Sequence, residues 1–379
     1  MDVTLRHQKV WKLLCKPVGK YLEWKFRFVH DTVKPDGPCL IVSNHVTNWD
    51  PLLLAICFPE HQTYFVASEH LFRMGWKSKA IQYLVAPIPR SKGTNSMGTA
   101  MDCMRKIRAG HSVCVFGEGE TTWDGRSQKV FPGTGMLAQM GGGSLITFRL
   151  EGGYLSMPRW GRGLRKGRMR GRVVNTYTPQ QLSAMTAEEI EAAMNADIYE
   201  DAWVRQKEEP IRYTGKHLAE HIGVAAFLCP QCRKVGTVVG RGNEVSCQCG
   251  WHTSVTELGT FDPPVPFENM AQWNDWQLEA LQKNDFVHGE TIFRDENVSL
   301  IQVLADHKEK QMARGEMYME KDALNVGGTR FPLEEISNMA LIQRRRLTFM
   351  HKGRYYEAIA DKPSCMRKYL EYWRCRGKA

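Results

Sequence analysis

Between residues 35 and 150, short apolar runs alternate with amphipathic stretches. "PCLIVSN", "TYFVAS", "YLVAPIP", "SVCVFGE" and "SLITFRL" read as strands, and between them "DPLLLAICF", "SMGTAMDCMRKIRAG" and "GTGMLAQMG" read as helices. This alternation predicts an α/β layer architecture. "TPQQLSAMTAEEIEAAMNADIYEDAW" continues as a helical region, with Thr186 and Glu189 at capping-box spacing. After about residue 212 the pattern changes. "FLCPQCRKVGTVVGRGNEVSCQCGWHT" is a small cysteine-bearing unit, "GTFDPPVPFEN" a Pro-rich linker and "MAQWNDWQLEALQKND" a helix. "VSLIQVL", "GEMYMEKDALNV", "ISNMALIQRRRLTFMH" and "GRYYEAIA" make residues 291 to 361 β-rich, and "KPSCMRKYLEYWR" closes the chain as a helix. The division expected is a helical N-terminal region at 1–34, an α/β domain at 35–212, a cysteine unit at 225–258, a linker and helix at 259–290 and a β-rich domain at 291–379. There is no internal repeat.

Composition adds class and surroundings. With 379 residues, 42% of them hydrophobic and 24% charged, and a mean hydropathy of −0.41, the chain can bury a sizeable core as a globular protein. No apolar run approaches the roughly 18–20 residues of a membrane span, and the N-terminus has no apolar signal core. A cytoplasmic protein, peripheral on the inner face of a membrane, is the expectation. Eleven cysteines in such a chain argue against a disulfide framework. The net charge of +10 favours anionic partners. Within the first 30 residues, seven Lys or Arg stand against only Asp2 and Glu23, interleaved with aromatic and aliphatic side chains. A basic amphipathic helix, broken or kinked at Pro17, fits a membrane interface. An ordinary helix packed on the core explains the same pattern.

Candidate chemistry begins at "SNHVTNWDPLLLA", where His45 and Asp50 follow a strand with four residues between them. A neutral imidazole can take the proton of an attacking alcohol when a carboxylate fixes its tautomer and stabilises the imidazolium. The alternative is structural: Asp50 before Pro51 is a good N-cap, and His45 would then be a partly buried polar residue.

The wider pattern resembles the PlsC-like glycerolipid acyltransferases, which include lysophosphatidate acyltransferases. "SNHVTNWDPLLL" is similar to the family's first motif, "YFVASEHLFRMGWKSKAIQYLVAPIPRSKG" to its second-motif region ending on Arg90, and "SVCVFGEGETTWDG" to its third. "FPGTGMLAQMGGGSLITFRLEGG" then follows as the glycine-bearing helix and last strand, so the likeness covers about residues 20 to 205. It implies His45 as general base for an acceptor hydroxyl attacking an acyl thioester, oriented by Asp50, with no acyl-enzyme. It implies Arg90 at the acceptor's phosphate, with Glu118 and Gly119 shaping the acceptor site and Asn44 beside them; a surface arginine and a tight turn are the structural alternatives. Acyl-CoA or acyl-carrier protein would be the donor, a lysophospholipid the acceptor, and no catalytic cofactor is needed. This chain departs where the family reads Phe-Pro-Glu-Gly-Thr-Arg: Gly117 replaces the proline, Thr121 stands at the arginine position, and Glu120 adds a negative charge. Arg126 or Arg149 would have to compensate, or the acceptor is not a simple lysophosphatidate.

"CPQC", fourteen residues, then "CQCG" resembles a zinc ribbon. Cys229, Cys232, Cys247 and Cys249 would be four soft ligands of a closed, structural zinc, with His252 a weaker substitute. The basic run "PRWGRGLRKGRMRGR" at 158–172 reads as a contact for headgroups, CoA phosphates or an acidic carrier, or as a solvated loop. The C-terminal strands and closing helix loosely resemble a pleckstrin-homology-like fold. The fold class expected is therefore α/β, a glycerolipid-acyltransferase-like mixed sheet flanked by helices, plus a small zinc ribbon and a C-terminal β-rich domain with a closing helix. The rivals are the same dyad acting on a non-phosphatidate acceptor, and a non-catalytic membrane-associated lipid-binding adaptor. Nucleic-acid binding is the weakest reading, because the basic residues are spread over all modules rather than focused on the ribbon, and the run at 158–172 lacks an aromatic platform beyond Trp160.

Overall fold

A computed structural model describes residues 3–60, 62–73, 75–90, 96–284, 291–304, 308–362 and 364–376. The chain forms two compact units, the first built from Met1–Pro158 and Leu164–Thr214, the second from Arg159–Gly163 and Gly215–Ala379. The basic run of 158–172 is thus divided between them.

The first unit opens with α1 (Val3–Phe26), β1 (Phe28–His30) and β2 (Cys39–Ser43), followed by α2 (Asp50–Cys57), β3 (Thr63–Ser68), α3 (Trp76–Val85) and β4 (Ile88–Arg90). It continues through α4 (Ser96–Arg108), β5 (Ser112–Phe116), α5 (Thr134–Gly141), β6 (Ser144–Glu151), α6 (Gly153–Ser156) and β7 (Met169–Tyr177), then α7 (Pro179–Ser183), α8 (Ala187–Ile198) and α9 (Ala202–Glu208). The seven strands form one sheet in the order β1-β7-β6-β2-β5-β3-β4, in which β6, β2, β5, β3 and β4 run parallel and β7 is antiparallel to β6. All five residues of β2 are buried, as a central parallel strand covered on both faces requires. The side chains divide by strand alternation. Cys39 and Ile41 join Leu22 and Phe26 of α1 and Leu53 and Ile56 of α2, whereas Leu40 and Val42 join Ile107 of α4, Leu137 of α5 and Ile190 of α8. Thr186 caps α8 with the predicted box to Glu189, and Thr178 and Gln181 form a second one at α7.

Two local expectations need correction. "YLVAPIP" is not one strand: Tyr83–Val85 end α3, and only Ile88–Arg90 is extended. Ala86, at φ 40°, ends the helix directly before Pro87, where a preceding helical residue is disfavoured. Short apolar runs do not separate strand from helix by pattern alone. Pro17 does not break α1, whose helix continues to Phe26 with Cys15, Leu22 and Phe26 buried on either side of the proline.

The second unit holds a four-stranded antiparallel sheet of β8 (Val238–Arg241), β9 (Glu244–Cys247), β10 (His252–Val255) and β11 (Phe261–Asp262), then α10 (Met270–Lys283). Next come β12 (Phe293–Val303), β13 (Glu309–Met319), β14 (Ala323–Val326), β15 (Thr329–Pro332), β16 (Ile336–Ile342), β17 (Arg346–His351) and β18 (Arg354–Ala360), closed by α11 (Arg367–Arg376). They form an antiparallel sheet in the order β15-β14-β13-β12-β18-β17-β16. The chain is therefore a mixed α/β unit with a parallel-rich sheet, followed by a cysteine cluster and an antiparallel β-rich region with a closing helix.

Candidate active site

In the sheet Ser43 pairs with both Phe116 and Phe148, so β2, β5 and β6 end at one edge; Ser68 of β3 pairs with Arg90 of β4 there too. The carboxyl edge of a parallel sheet is where α/β folds hold ligands. His45, Arg90 and Gly117–Thr121 all leave the sheet on it.

The loop after β2 is organised by one carboxylate. Asp50 is fully buried, and its Oδ2 accepts hydrogen bonds from His45 Nδ1 at 2.8 Å, Val46 N at 2.6 Å and Thr47 N at 2.9 Å. Oδ1 accepts from Thr47 Oγ1 at 2.6 Å. Thr47 Oγ1 in turn accepts from Trp49 N. The expectation that Asp50 caps α2 is corrected. Trp49 is the N-cap residue, without a side-chain cap bond, while Asp50 opens the helix and turns its carboxylate back onto the loop. The reason is chemical: two peptide N–H groups, a hydroxyl and an imidazole converge there, and hydrogen bonds to an ionised group are worth about 1.5–3 kcal/mol each. Thr47 was not singled out in the sequence. Its signal was a short hydroxyl side chain inside a turn, where local hydrogen bonding is favoured.

With Asp50 accepting, His45 Nδ1 carries the proton, which leaves Nε2 as a lone-pair nitrogen. The His45 ring stacks on Phe116 with centroids 4.5 Å apart, and its side chain remains 20% exposed. The peptide of His45 is held as firmly as its ring. Its N–H donates to Glu118 Oε1 at 2.8 Å, and its carbonyl accepts from Thr122 N at 3.1 Å. Glu118 Oε2 accepts from Gln128 N at 2.7 Å. Glu118 therefore ties the loop after β2 to a second point of its own loop between β5 and α5. Burial pushes its carboxyl up to about 8, against the pull of the two peptide N–H donors.

Arg90 lies beside Gly119. Its guanidinium sits 4.3 Å from the Phe131 ring centroid, and burial lowers its pKa from the ordinary value while Glu120 opposes the shift. Gly119 has φ +72°, and a Cβ there would lie 2.6 Å from Arg90 Nη1 and overlap Phe131. At Gly117 a Cβ would lie 2.6 Å from Val130 Cγ1, so the backbone approaches Val130 closely there. Thr121 is buried. Asn44 is fully buried, and its amide donates to Leu150 O and accepts from Leu150 N, both at 2.8 Å. It splices the end of β2 to β6 from inside. Arg126 is held by the Asp124 carboxylate, with Nη2 at 2.6 Å, and Arg149 donates to Asp197 O at the end of α8. Both arginines are thus tied to other groups. Met74 and residues 91–93 of the second-motif region lie outside the described residues.

In the second unit, Cys229, Cys232, Cys247 and Cys249 bring their Sγ atoms within 4.8 Å of one another, with Cys229 to Cys249 at 3.8 Å and Cys232 to Cys247 at 3.7 Å. Tetrahedral thiolates about 2.3 Å from a zinc ion stand about 3.8 Å apart, so the quartet fits that metal. Each pair sits on a turn: Arg233 N donates to Cys229 O and Gly250 N to Cys247 O. His252 is exposed, faces Gly250 O with Nδ1 and is not part of the quartet.

Residues 25–151, which include His45, Asp50, Arg90, Glu118 and Gly119, match the family described as Acyltransferase. Among solved structures the chain is similar to the crystal structure of the 1-acyl-sn-glycerophosphate (LPA) acyltransferase, PlsC, from Thermotoga maritima, at 18% identity and a TM-score of 0.44, over 55% of this chain and 83% of that chain. The family match supports acyl transfer as the chemistry of the matched segment.

Proposed function

We propose that this protein is a peripheral O-acyltransferase moving a fatty acyl chain from acyl-CoA or acyl-carrier protein to the hydroxyl of a lysophosphatidate-like acceptor. The observation that carries the reading is the Asp50–His45 contact of 2.8 Å, which leaves Nε2 as the basic nitrogen on a partly exposed ring. In the reaction Nε2 takes the acceptor's hydroxyl proton as its oxygen attacks the thioester carbonyl. The tetrahedral intermediate collapses, the carbon–sulfur bond breaks, and the imidazolium returns the proton to the leaving thiolate. Ester and thiol are the products. Asp50 stabilises the imidazolium and holds its tautomer. Glu118 fixes the His45 peptide, Gly119 keeps the backbone low beside Arg90, and Arg90 meets the acceptor's phosphate with its fork of donors. Asn44 holds the strand end rather than the acceptor.

Residues 35–212 would form the acyltransferase domain and 225–258 a ribbon closed by structural zinc. The linker and helix at 259–290 would lead to a pleckstrin-homology-like domain at 291–379. No helix among the described residues is long and apolar enough to cross a membrane. Exposed Leu13, Tyr21 and Trp24 on α1, flanked by Lys12, Lys16 and Lys20, support a peripheral footing on an anionic membrane surface. A second reading, the same chemistry on a non-phosphatidate acceptor, is favoured by buried Thr121 at the arginine position and by Glu120 acting on Arg90.

The test is thiol release from an acyl thioester with lysophosphatidate, comparing the protein with His45→Ala. Turnover that falls by about 10²-fold or more in the variant is expected. Absence of turnover with lysophosphatidate, but His45-dependent turnover with a neutral or zwitterionic lysolipid, would move the assignment to the second reading. No turnover on any acceptor would leave the lipid-binding adaptor.

A further inference from the structure

Two neighbouring helices of the first unit, α4 and α5, start at the sheet edge that holds His45 and run away from it. At the near end Thr99 Oγ1 of α4 donates to Pro89 O of β4 at 3.2 Å, and Phe131, just before α5, lies against Arg90. At the far end Gly143, just after α5, abuts Pro38 at the start of β2. There the helices touch, with Arg108 Nη2 of α4 donating to Met140 O of α5 at 2.8 Å.

The flanks that meet carry methionines. On α4, Met97 and Met101 stand one turn apart, and Arg108 falls on the same line three turns after Met97. Arg108 reaches α5, so this line faces α5. On α5, Gly135 and Gln139 mark the flank turned to the following helices: Gly135 abuts Ala187 of α8, and Gln139 Nε2 donates to Met185 O at 2.6 Å. Met136 and Met140 stand one turn apart on the side away from α8. Met97, Met101, Met136 and Met140 are each at least half exposed, whereas Cys103, Ile107, Leu137 and Ala138 of the same helices are buried in the core. An exposed apolar strip therefore leads from Arg90 and Phe131 along both helices to Arg108. Such a patch beside a site marks a binding surface, and flexible, polarizable thioethers adapt to an irregular apolar ligand.

We propose that these four methionines seat the hydrocarbon chain already esterified to the acceptor, so that a lysolipid is recognised by its tail as well as by its phosphate. This rests on the acyl-transfer reading, in which Arg90 meets that phosphate. The strip begins at Arg90, which assigns it to the acceptor's chain. α1, the proposed membrane footing, packs on the opposite face of the sheet, with Leu22 and Phe26 beside Cys39 and Ile41. A bilayer resting on α1 thus leaves the α4–α5 flank to a single chain.

The test uses the full chain carrying His45→Ala, which binds without turnover. Decanoyl lysophosphatidate, hexanoyl lysophosphatidate (both as monomers) and glycerol 3-phosphate are compared by calorimetry and by protection of methionines from dilute hydrogen peroxide, mapped by mass spectrometry. Met312, exposed on β13 of the second unit, is the internal control. The decanoyl ligand should bind at least about tenfold tighter than the hexanoyl one. It should slow oxidation of the four methionines and leave Met312 unchanged. Met101→Gln with Met136→Gln should weaken decanoyl binding about tenfold by removing apolar contact, and hexanoyl binding much less. Should that double variant fail to fold, Met97→Gln alone replaces it. Equal protection by glycerol 3-phosphate, or equal slowing at Met312, overturns the proposal. So does protection given only by phosphatidylcholine vesicles, which assigns the strip to a bilayer, or by raised protein concentration alone, which assigns it to a second copy. Thiol release by the parent protein separates the two readings. Turnover without chain-dependent protection overturns the strip alone, whereas protection without turnover supports the strip and removes acyl transfer.

Discussion

Two buried carboxylates govern the candidate site. Asp50 gathers four donors, and one of those donors is the imidazole. Glu118 gathers only two peptide N–H groups and is held up to about 8 by burial. Its consequence for stability has a definite sign. The unfolded chain releases the Glu118 proton near its ordinary value of 4.5, whereas the folded chain keeps it until about 8. Glu118 thus contributes stability that is fully present below 4.5 and is lost as pH rises through about 8. Glu118→Gln removes that titration and sets an amide against one of the peptide N–H donors. The difference in melting temperature between the protein and this variant should shrink steadily from pH 5 to 8, followed by scanning calorimetry across that range. A constant difference would mean that Glu118 is ionised in the folded state. If Glu118 acts through the His45 peptide, the variant's kcat falls while its KM for the acceptor stays near that of the parent. A selective rise in KM would make Glu118 an acceptor contact instead.

At the scale of elements, the third-motif turn has the tightest geometry. Gly119 stands at φ +72° between Phe131 and Arg90, so alanine there meets both a strained backbone and an occupied space. Gly119→Ala should cost about 1–3 kcal/mol of stability and raise KM for a phosphate acceptor by displacing the guanidinium. Adding Phe131→Ala empties the space without relieving the φ. The double variant should regain part of the acceptor affinity and little of the lost stability, as thermal melts and acceptor titrations would show. Recovery of neither would mean that the ring is not what crowds the position. These elements also mark how far the sequence could be read. The parallel strands and the helix after His45 were legible because a buried parallel strand is a continuous apolar run and a helix repeats its apolar face. "YLVAPIP" was misread because a short apolar run carries no period and Pro87 lies within it. The roles of Asp50 and Glu118 were half visible: motif and spacing named the residues, but only the folded loops show that both carboxylates bind peptide N–H groups. The meeting of Trp160 with Arg344, whose Nη1 donates to the Trp160 carbonyl, was not legible at all, since nothing local links positions so far apart in the chain.

At the scale of the whole molecule, the two units differ in what holds them together. The first rests on apolar side chains packed on both faces of a seven-stranded sheet, and the hydrogen bonds that organise His45 come from Asp50, Glu118 and Thr122 of that unit. In the second, β8 to β11 are strands of two to four residues, too short a sheet to bury much apolar surface. A structural zinc at the cysteine quartet would supply the missing stability, since such sites contribute about 10–16 kcal/mol of apparent binding free energy at neutral pH. The other cysteines make this measurable. Cys15, Cys39, Cys57, Cys103, Cys114 and Cys365 are buried apart from the quartet, and Cys375 is partly exposed. Purified protein should carry about one zinc per chain, and a thiol reagent should then modify Cys375 rapidly and the buried thiols slowly. A strong chelator should release the metal and make the quartet reactive, while hydrogen exchange quickens across β8 to β11 and His45-dependent thioester cleavage on a soluble acceptor persists. Cys232→Ser should reproduce the chelated state without a chelator. Quartet thiols that react fully before chelation, with no bound metal, would refute the zinc assignment. Loss of thioester cleavage together with the metal would show that the second unit supports the chemistry of the first.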